Sequence, residues 1–303
     1  MAGTAFVFPG QNSHFVGMGR DLVEAAGAAA RVLARADEVL GIPLTALMLD
    51  GPEAELTATH NQQPAIFAHS AACLALLKER GLQPQVLAGH SLGEYSAVAG
   101  AGCLGLEDAL RLVRRRGELM ARTSGGAMAA VLGLEAAEVE AACLGAREVG
   151  WVGIANYNCP GQVVVTGEPD AVAKATELLQ AAGAKRVVPL RVSGAFHSPL
   201  MQGASDELRP LLDAAVFGEA AVPLVSNVDA RPRTSGAEIR AALARQMTGA
   251  VQWEASIRRM AADGVDRFVE VGPGKVLAGL IRRIAKDARV DSAGTVDEIA
   301  ALT

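Results

Sequence analysis

A serine flanked by glycines, in Gly89-His90-Ser91-Leu92-Gly93, is the side chain of this sequence best placed to act as a nucleophile. The apolar run Val86-Leu87-Ala88 before it predicts a buried strand, and residues 92–100 after it predict a helix. A sharp turn between a strand and a helix exposes a serine hydroxyl, and the glycines permit close backbone approach. The backbone N–H groups that follow can stabilise an oxyanion. The pattern therefore predicts covalent catalysis at Ser91.

A serine hydroxyl needs a base at neutral pH, and histidine titrates in the useful range. Histidines stand at positions 14, 60, 69, 90 and 197. His197 is the preferred base because it follows the apolar segment 187–192 and precedes Ser198-Pro199, which can begin a helix. His90 adjoins the nucleophile, and we expect it to shape the turn. From the residues alone, an ordinary core or surface position is the favoured interpretation of His197.

One arginine of the predicted helix 107–121 falls on the apolar face of that helix. Helical periodicity places Arg116 within this face and leaves Arg111, Arg114 and Arg115 outside it, where they predict a solvated surface that can attract an acidic partner. A buried guanidinium is costly without an anion. Arg116 therefore predicts either a structural ion pair or a ligand carboxylate, which its planar fork can bind through two hydrogen bonds.

Short apolar runs alternate with longer alanine- and leucine-rich segments, which predicts an α/β fold with parallel strands joined by helices. The strands expected in the main sheet are 5–8, 86–88 and 267–271. The expected helices are 20–39, 64–80, 92–100, 107–121, 199–214 and 236–247. With 303 residues, of which 50% are apolar, the chain can bury a substantial core.

The middle third of the chain has a different order of elements. We expect strands at 127–132, 151–155, 162–166 and 185–190, with helices at 135–144 and 169–182. This βαββαβ order is the ferredoxin-like arrangement. Gly125-Gly126 and Ser193-Gly194 are flexible connections on either side. The sequence thus predicts a large α/β domain at 1–125 and 195–303, a small inserted domain at 126–194, and an active cleft between them.

Composition argues against several classes of function. The formal charge of −5 disfavours nucleic-acid binding, which needs a basic face.

The cysteines (Cys73, Cys103, Cys143 and Cys159) form no Cys-x-x-Cys pair, and no His-Glu-x-x-His spacing occurs, so neither a metal site nor a disulfide framework is predicted. The first ten residues lack the features of a signal peptide, and no apolar run reaches membrane-spanning length. We expect a cytoplasmic protein with no membrane partner and with reduced cysteines in its core.

Four segments are more specific in combination than the serine motif is alone. They are Phe-Pro-Gly-Gln at 8–11, Gly-His-Ser-Leu-Gly-Glu-Tyr-Ser-Ala at 89–97, Asn-Tyr-Asn-Cys-Pro-Gly-Gln at 156–162 and Phe-His-Ser-Pro-Leu-Met at 196–201. In this order they resemble the family of malonyl-coenzyme A:acyl carrier protein transacylases. The resemblance implies an α/β-hydrolase-like large domain. It also implies an acyltransferase that moves a malonyl group from malonyl-coenzyme A to the phosphopantetheine thiol of acyl carrier protein, in fatty-acid or polyketide synthesis.

The resemblance also implies roles for individual residues. Ser91 carries the malonyl group, and His197 is the base, oriented by backbone carbonyls and not by an acidic third residue. Arg116 grips the free carboxylate of malonate. The backbone N–H groups of Gln11 and Leu92 form the oxyanion hole.

Three further residues match family positions. Gln246 and Asn156 line the acyl pocket or order the serine and histidine, and Phe196 favours malonyl over methylmalonyl. The resemblance implies no permanently bound cofactor, since coenzyme A enters as the thioester substrate. We expect a transient complex with an acidic acyl carrier protein and a monomeric enzyme.

The sequence departs from the family pattern at three positions. Asn12 replaces a glycine, and it can do so because asparagine tolerates positive φ. His14 has no assigned role, and Ala250 stands where the family often has proline, which should loosen a loop. Two alternatives remain open from the sequence: a serine thioesterase or esterase that passes the acyl group to water, and a non-catalytic scaffold that binds carrier protein.

Overall fold

The computed structural model describes residues 3–192 and 194–302. The strands in this part of the chain are β1 (Gly3–Phe8), β2 (Val86–Gly89), β3 (Ala127–Leu132), β4 (Val152–Cys159), β5 (Gln162–Gly167), β6 (Arg186–Pro189), β7 (Leu224–Val225), β8 (Pro232–Arg233), β9 (Val265–Val271) and β10 (Arg289–Ala293). The helices are α1 (Arg20–Glu24), α2 (Gly27–Leu40), α3 (Leu44–Asp50), α4 (Glu53–Thr57), α5 (Thr59–Glu79), α6 (Gly93–Gly100), α7 (Leu106–Arg122), α8 (Ala136–Ala146), α9 (Pro169–Ala181), α10 (Gln202–Ala214), α11 (Gly236–Gln246), α12 (Trp253–Ala262), α13 (Val276–Ile284) and α14 (Val296–Ala300). Ser193, at the expected exit from the small domain, lies outside the described residues.

The larger sheet has the strand order β10-β9-β1-β2-β7-β8. Its strands are parallel except for β8, which pairs antiparallel with β7. Successive residues of β1 enter different apolar clusters: Phe6 and Phe8 pack on one face, and Ala5 and Val7 on the other. A strand covered on both faces is mostly apolar, which is why the predicted runs in β1 and β2 lack alternation. This sheet confirms the predicted α/β fold.

Most predicted helices agree with the structure within a few residues, but the single helix predicted over 20–39 is wrong. The chain forms α1 and α2 there, separated at Ala26 (φ 54°) and Gly27 (φ 76°). Left-handed backbone cannot continue a right-handed helix, and the alanine-rich composition conceals the break. Helix α5 begins five residues before the predicted start at Pro64. Helices α3, α4, α12, α13 and α14 were not predicted.

The smaller sheet is antiparallel, with the order β4-β5-β3-β6. Helices α8 and α9 cover one face, where Val139 and Leu179 pack with Val131 and Val165. The elements follow the predicted βαββαβ sequence, and the strand order is that of a ferredoxin-like unit. A Cβ atom on Gly126 would overlap the backbone of Ala195, so the chain enters and leaves this sheet along adjacent paths.

Backbone hydrogen bonds join β4 of the smaller sheet to the loop that follows α11. Val251 donates to the Ala155 carbonyl (2.8 Å), and Tyr157 donates to the Val251 carbonyl (2.9 Å). The loop after α11 is therefore anchored to β4 instead of being loose beside Ala250. A cavity of about 240 Å³ lies at this junction. Within the described ranges, no helix has the length and apolarity needed to cross a bilayer.

Candidate active site

Ser91 sits on a tight turn between β2 and α6, as the sequence predicts. Its backbone is left-handed, with φ 51°, a conformation that costs a non-glycine residue energy and is found at nucleophile elbows. A Cβ atom on Gly89 would overlap the Gly93 carbonyl, and one on Gly93 would overlap the Phe8 carbonyl. Both glycines are thus required by close backbone packing, and Ser91 is held at the carboxyl end of β2 with its side chain in the cavity.

The structure brings His197 to Ser91 across 106 positions of sequence. His197 Nε2 lies 2.7 Å from Ser91 Oγ. His197 Nδ1 lies 3.0 Å from the Gln246 carbonyl and 3.2 Å from the Gly249 carbonyl. Since carbonyl oxygens only accept, Nδ1 carries the proton and Nε2 accepts from the Ser91 hydroxyl. Burial, together with the nearby Arg116 charge, lowers the pKa of His197 to about 3 and keeps the imidazole neutral.

Arg116 is fully buried on α7, directly behind the serine. Its Nη2 donates to Ser91 Oγ (3.1 Å) and Gln246 Oε1 (3.1 Å), and its Nη1 donates to Gln63 Oε1 (2.7 Å). Its guanidinium also lies 5.6 Å from the centre of the Tyr95 ring. Burial lowers the pKa of Arg116.

No carboxylate in the described part of the chain forms an ion pair with Arg116, and its Nε has no hydrogen-bond partner there. Of the two partners that the sequence left open, the structural ion pair is therefore absent from residues 3–192 and 194–302. The outer arginines differ from Arg116: Arg111 is exposed, and Arg114 and Arg115 are half-buried and pair with Glu118.

The two backbone N–H groups proposed for the oxyanion hole belong to residues beside the nucleophile. Gln11 lines the cavity together with Ser91, and Leu92 follows Ser91 in the elbow. Neither N–H group has a hydrogen-bond partner among the described residues. Asn12 has φ 69°, the positive value that its asparagine side chain was expected to tolerate. His14 contacts the Thr57 hydroxyl (3.0 Å) outside this cavity.

The remaining predicted residues also lie at the site. Asn156 and Phe196 line the cavity. Asn156 forms a β-bridge with Val251, so its strand also supports the loop whose carbonyls contact His197. Gln246 lies beneath the elbow, where its Nε2 donates to the Ser91 carbonyl (2.7 Å). The structure thus brings every predicted site residue to one place.

Sequence reasoning missed three residues that hold this arrangement: Gln63, Glu94 and Asn227. Asn227 Oδ1 accepts from the Ser91 N–H (2.7 Å), and Gln63 Nε2 donates to Gln11 Oε1 (3.3 Å). Asn227 follows β7 as Ser91 follows β2, and these strands are neighbours in the sheet. A polar residue at the carboxyl end of a parallel strand is the signal that could have identified it.

A strained serine, a neutral histidine in contact with it and two backbone N–H groups without partners among the described residues define a serine-dependent acyl-transfer or hydrolytic site. The family model described as acyl transferase domain matches residues 5–300. The chain belongs to this acyl transferase family. It is 46% identical over 288 residues to the malonyl CoA-acyl carrier protein transacylase of Bacillus subtilis (strain 168), covering 94% of this chain and 91% of the relative.

Other relatives agree. The protein of the same name from Escherichia coli (strain K12) is 45% identical, with 92% of each chain covered. A crystal structure of an acyl carrier protein S-malonyltransferase from Vibrio cholerae has a TM-score of 0.97 and 42% identity, with 100% of each chain covered. A type II PKS acyl carrier protein in complex with its malonyl-transacylase is also similar, with a TM-score of 0.96 and 39% identity, covering 99% of this chain and 98% of that chain.

Proposed function

We propose that this enzyme transfers a malonyl group from malonyl-coenzyme A to the phosphopantetheine thiol of an acyl carrier protein through a malonyl-serine intermediate. The observation that carries the proposal is the buried Arg116 guanidinium, 3.1 Å from the Ser91 hydroxyl and without a carboxylate of its own among the described residues. An acyl group on Ser91 that ends in a carboxylate supplies the missing anion. The relatives named as malonyl transferases support the same substrate.

In the first half-reaction, His197 Nε2 accepts the proton of Ser91 Oγ as the oxygen attacks the thioester carbonyl. The Gln11 and Leu92 N–H groups bind the oxyanion that forms. The carbon–sulfur bond then breaks, and His197 gives the proton to the coenzyme A sulfur. The carbonyls of Gln246 and Gly249 stabilise the imidazolium that exists between these proton transfers.

The second half-reaction reverses the first with a new thiol. The phosphopantetheine thiol of the carrier protein gives its proton to His197 Nε2 and attacks the malonyl ester. The Ser91–acyl bond breaks, and Ser91 Oγ recovers the proton. The similar structure of a PKS acyl carrier protein bound to its malonyl-transacylase supports a carrier protein as acceptor. The proposal covers carriers of fatty-acid or polyketide synthesis.

Arg116 selects the acyl group in this proposal. Its Nε has no hydrogen-bond partner among the described residues and shares one edge of the guanidinium with Nη2, so a carboxylate would bind there through two hydrogen bonds, one of them replacing an Nη2 contact to Ser91 Oγ or Gln246 Oε1. Asn156, Gln246 and Phe196 are proposed to shape and order the acyl site around this interaction. We assign no permanently bound cofactor.

We also propose that residues 126–194 form a small domain inserted into a large domain at 1–125 and 195–303. The adjacent paths of Gly126 and Ala195 and the separate apolar cluster of the smaller sheet support this division. The site then lies where the two domains meet. The cytoplasmic location and the monomeric state remain predictions from the sequence and the resemblance.

Intact-protein mass spectrometry tests the proposed function. Incubation with malonyl-coenzyme A should add the mass of one malonyl group to the enzyme, and the Ser91→Ala variant should show no increase. Addition of acyl carrier protein bearing phosphopantetheine should then move the malonyl group to the carrier. Release of free malonate at the same rate with or without carrier would instead identify a thioesterase, and a wild-type enzyme that never acylates would favour a scaffold.

A further inference from the structure

One buried carboxylate at the site takes no part in the proposed chemistry. Glu94 lies in the first turn of α6, three residues after the nucleophile, and is 1% exposed. Its two oxygens contact residues from different parts of the fold. Oε1 accepts from the backbone N–H of Asn227 (3.2 Å), and Oε2 accepts from Gln246 Nε2 (2.7 Å). A single carboxylate therefore joins α6 to the loop after β7 and to the end of α11.

Asn227 holds the backbone on the N-terminal side of the nucleophile. Its Oδ1 accepts from the Ser91 N–H (2.7 Å), and its Nδ2 donates to the Gly89 carbonyl (2.6 Å). These bonds span the left-handed residue of the elbow, whose strained conformation persists only if its surroundings enforce it. The bond from Asn227 N–H to Glu94 fixes the position of this residue beneath the turn.

Gln246 holds the other side of the elbow and also the guanidinium. Its Nε2 donates to both the Ser91 carbonyl (2.7 Å) and Glu94, so its Oε1 is turned toward Arg116 Nη2 (3.1 Å). If the amide were reversed, its oxygen would face the Glu94 carboxylate and its nitrogen would face the guanidinium. Both contacts would then be repulsive. An ionised carboxylate, which can only accept, thus dictates which way the Gln246 amide points.

We propose that Glu94 is a positioning residue for acyl transfer, which orients the Asn227 and Gln246 amides and thereby holds Ser91 and Arg116 ready for a carboxylate-bearing acyl group. This role rests on the proposed function. The Glu94 charge also opposes the effect of burial on Arg116, since it raises the pKa of the guanidinium that burial lowers. The ionised form of Glu94 is the competent one. A protonated Glu94 would direct its O–H group at either the Asn227 N–H or the Gln246 Nε2–H, and both of these groups are hydrogen-bond donors.

Glu94 is expected to titrate near neutral pH. Burial raises the pKa of Glu94 to about 7, while bonds from Gln246 and Asn227 and the charge of Arg233 lower it. The Glu94 charge in turn raises the pKa of Arg116 and of Tyr95, which lie near it. Because the pKa of His197 lies at about 3, the histidine stays neutral across this range. Preference for malonyl over acetyl should therefore rise as Glu94 ionises with increasing pH.

The test compares Ser91 acylation by malonyl- and acetyl-coenzyme A in wild type and Glu94→Gln, from about pH 5 to about pH 8. We expect the ratio of malonyl to acetyl kcat/KM to fall about tenfold or more in the variant, the loss of a hydrogen bond to a charged group. We also expect the ratio to increase with pH in wild type and to be independent of pH in the variant. A merely structural carboxylate would not move this ratio with pH.

Glu270→Gln is a matched control. Glu270 is also fully buried, burial raises its pKa to about 7, and its carboxylate accepts two N–H bonds, from Leu277 (3.0 Å) and Ala278 (2.8 Å). It contacts neither amide that holds the elbow. We expect this variant to lose stability and to keep the wild-type ratio within about twofold.

Three outcomes would overturn the role of Glu94 without affecting the proposed function. The folded Glu94→Gln variant could show the wild-type ratio and pH dependence, or Glu270→Gln could lower the ratio equally. If Glu94→Gln does not fold, the test rests on the wild-type enzyme. A malonyl-to-acetyl kcat/KM ratio that stays constant over this pH range then overturns the role. A wild-type enzyme that forms no malonyl-serine would contradict the proposed function itself.

Discussion

At the scale of single residues, Arg116 is a buried cation whose hydrogen-bond partners are all neutral. Its guanidinium is fully buried and is held by Gln63, Gln246 and Ser91, which are neutral groups. Hydrogen bonds to neutral oxygens satisfy part of a buried cation, but they do not supply the opposite charge. The guanidinium is already desolvated before a ligand binds. A carboxylate that enters the site therefore gains an ion pair with Arg116, which makes the site selective for acyl groups that carry a carboxylate.

We expect Arg116→Ala to lower kcat/KM for malonyl-coenzyme A by about a hundredfold or more. The kcat/KM for acetyl-coenzyme A should change far less, because the acetyl group has no carboxylate that loses its partner. Steady-state transfer with both thioesters measures this. Arg115→Ala is the control, since Arg115 is the adjacent residue and pairs with Glu118 and Glu207 away from the site. Equal losses for both substrates in Arg116→Ala would contradict a role in carboxylate recognition.

At the scale of elements, the junction of β2 and α6 depends on the absence of side chains. Gly93 opens α6 where its Cα faces the Phe8 carbonyl of β1, so the helix approaches the sheet more closely than a Cβ atom permits. This close packing places Ser91 at the carboxyl end of β2, where it lines the cavity together with Gln11. The same residue type serves no such purpose in α13, where Gly279 is exposed and has open space around it.

We expect alanine to have opposite effects at these two glycines. Gly279→Ala should raise the free energy of unfolding by about 0.5–1 kcal/mol, because alanine favours a helix interior. Gly93→Ala should lower it by about 1–3 kcal/mol through overpacking and should slow the acylation of Ser91. Urea denaturation and mass spectrometry provide the measurements. A shift of the same sign in both variants would show that close packing does not govern Gly93.

At the scale of the whole molecule, the site exists only where two sheets meet. Ser91 follows β2 of the larger sheet, and Asn156 and Asn158 lie in β4 of the smaller one. His90 Nε2 contacts Asn158 Oδ1 (2.9 Å) across the junction, so the histidine beside the nucleophile also links the two sheets. A second link is Arg283 on α13, which donates to the Pro160 carbonyl (2.7 Å) and to Gln162 Oε1 (2.8 Å).

We expect Arg283→Ala to loosen the turn between β4 and β5. Amide hydrogen exchange of a peptide covering residues 159–163 should become about tenfold faster, because the turn loses its attachment to the larger sheet. Global stability should change by less than about 1 kcal/mol, since these hydrogen bonds are exposed. Arg282→Ala is the control, because Arg282 donates to the Val290 carbonyl within the larger sheet. Equal exchange in the two variants would argue against the link.

The sequence by itself determined the features whose causes are local. The elbow at Ser91 requires only a strand, a turn with glycines and a helix within about a dozen residues. The βαββαβ order of the smaller sheet and the inward direction of Arg116 follow from hydrophobic periodicity. The resemblance of four short segments then indicated the family and singled out His197 among five histidines.

Only the tertiary structure decided which distant groups meet. His197 contacts Ser91 from 106 positions away, and Asn227 does so from 136 positions away. Hydrophobic periodicity did not identify Gln63, Glu94 and Asn227. A polar residue looks the same in the sequence whether its side chain is exposed to water or buried against a hydrogen-bond partner. Their roles arise from strand order and helix packing, which bring the carboxyl ends of β2 and β7 together and leave Arg116 without an ion-pair contact to a carboxylate among the described residues. Such juxtaposition depends on non-local packing that no short stretch of sequence encodes.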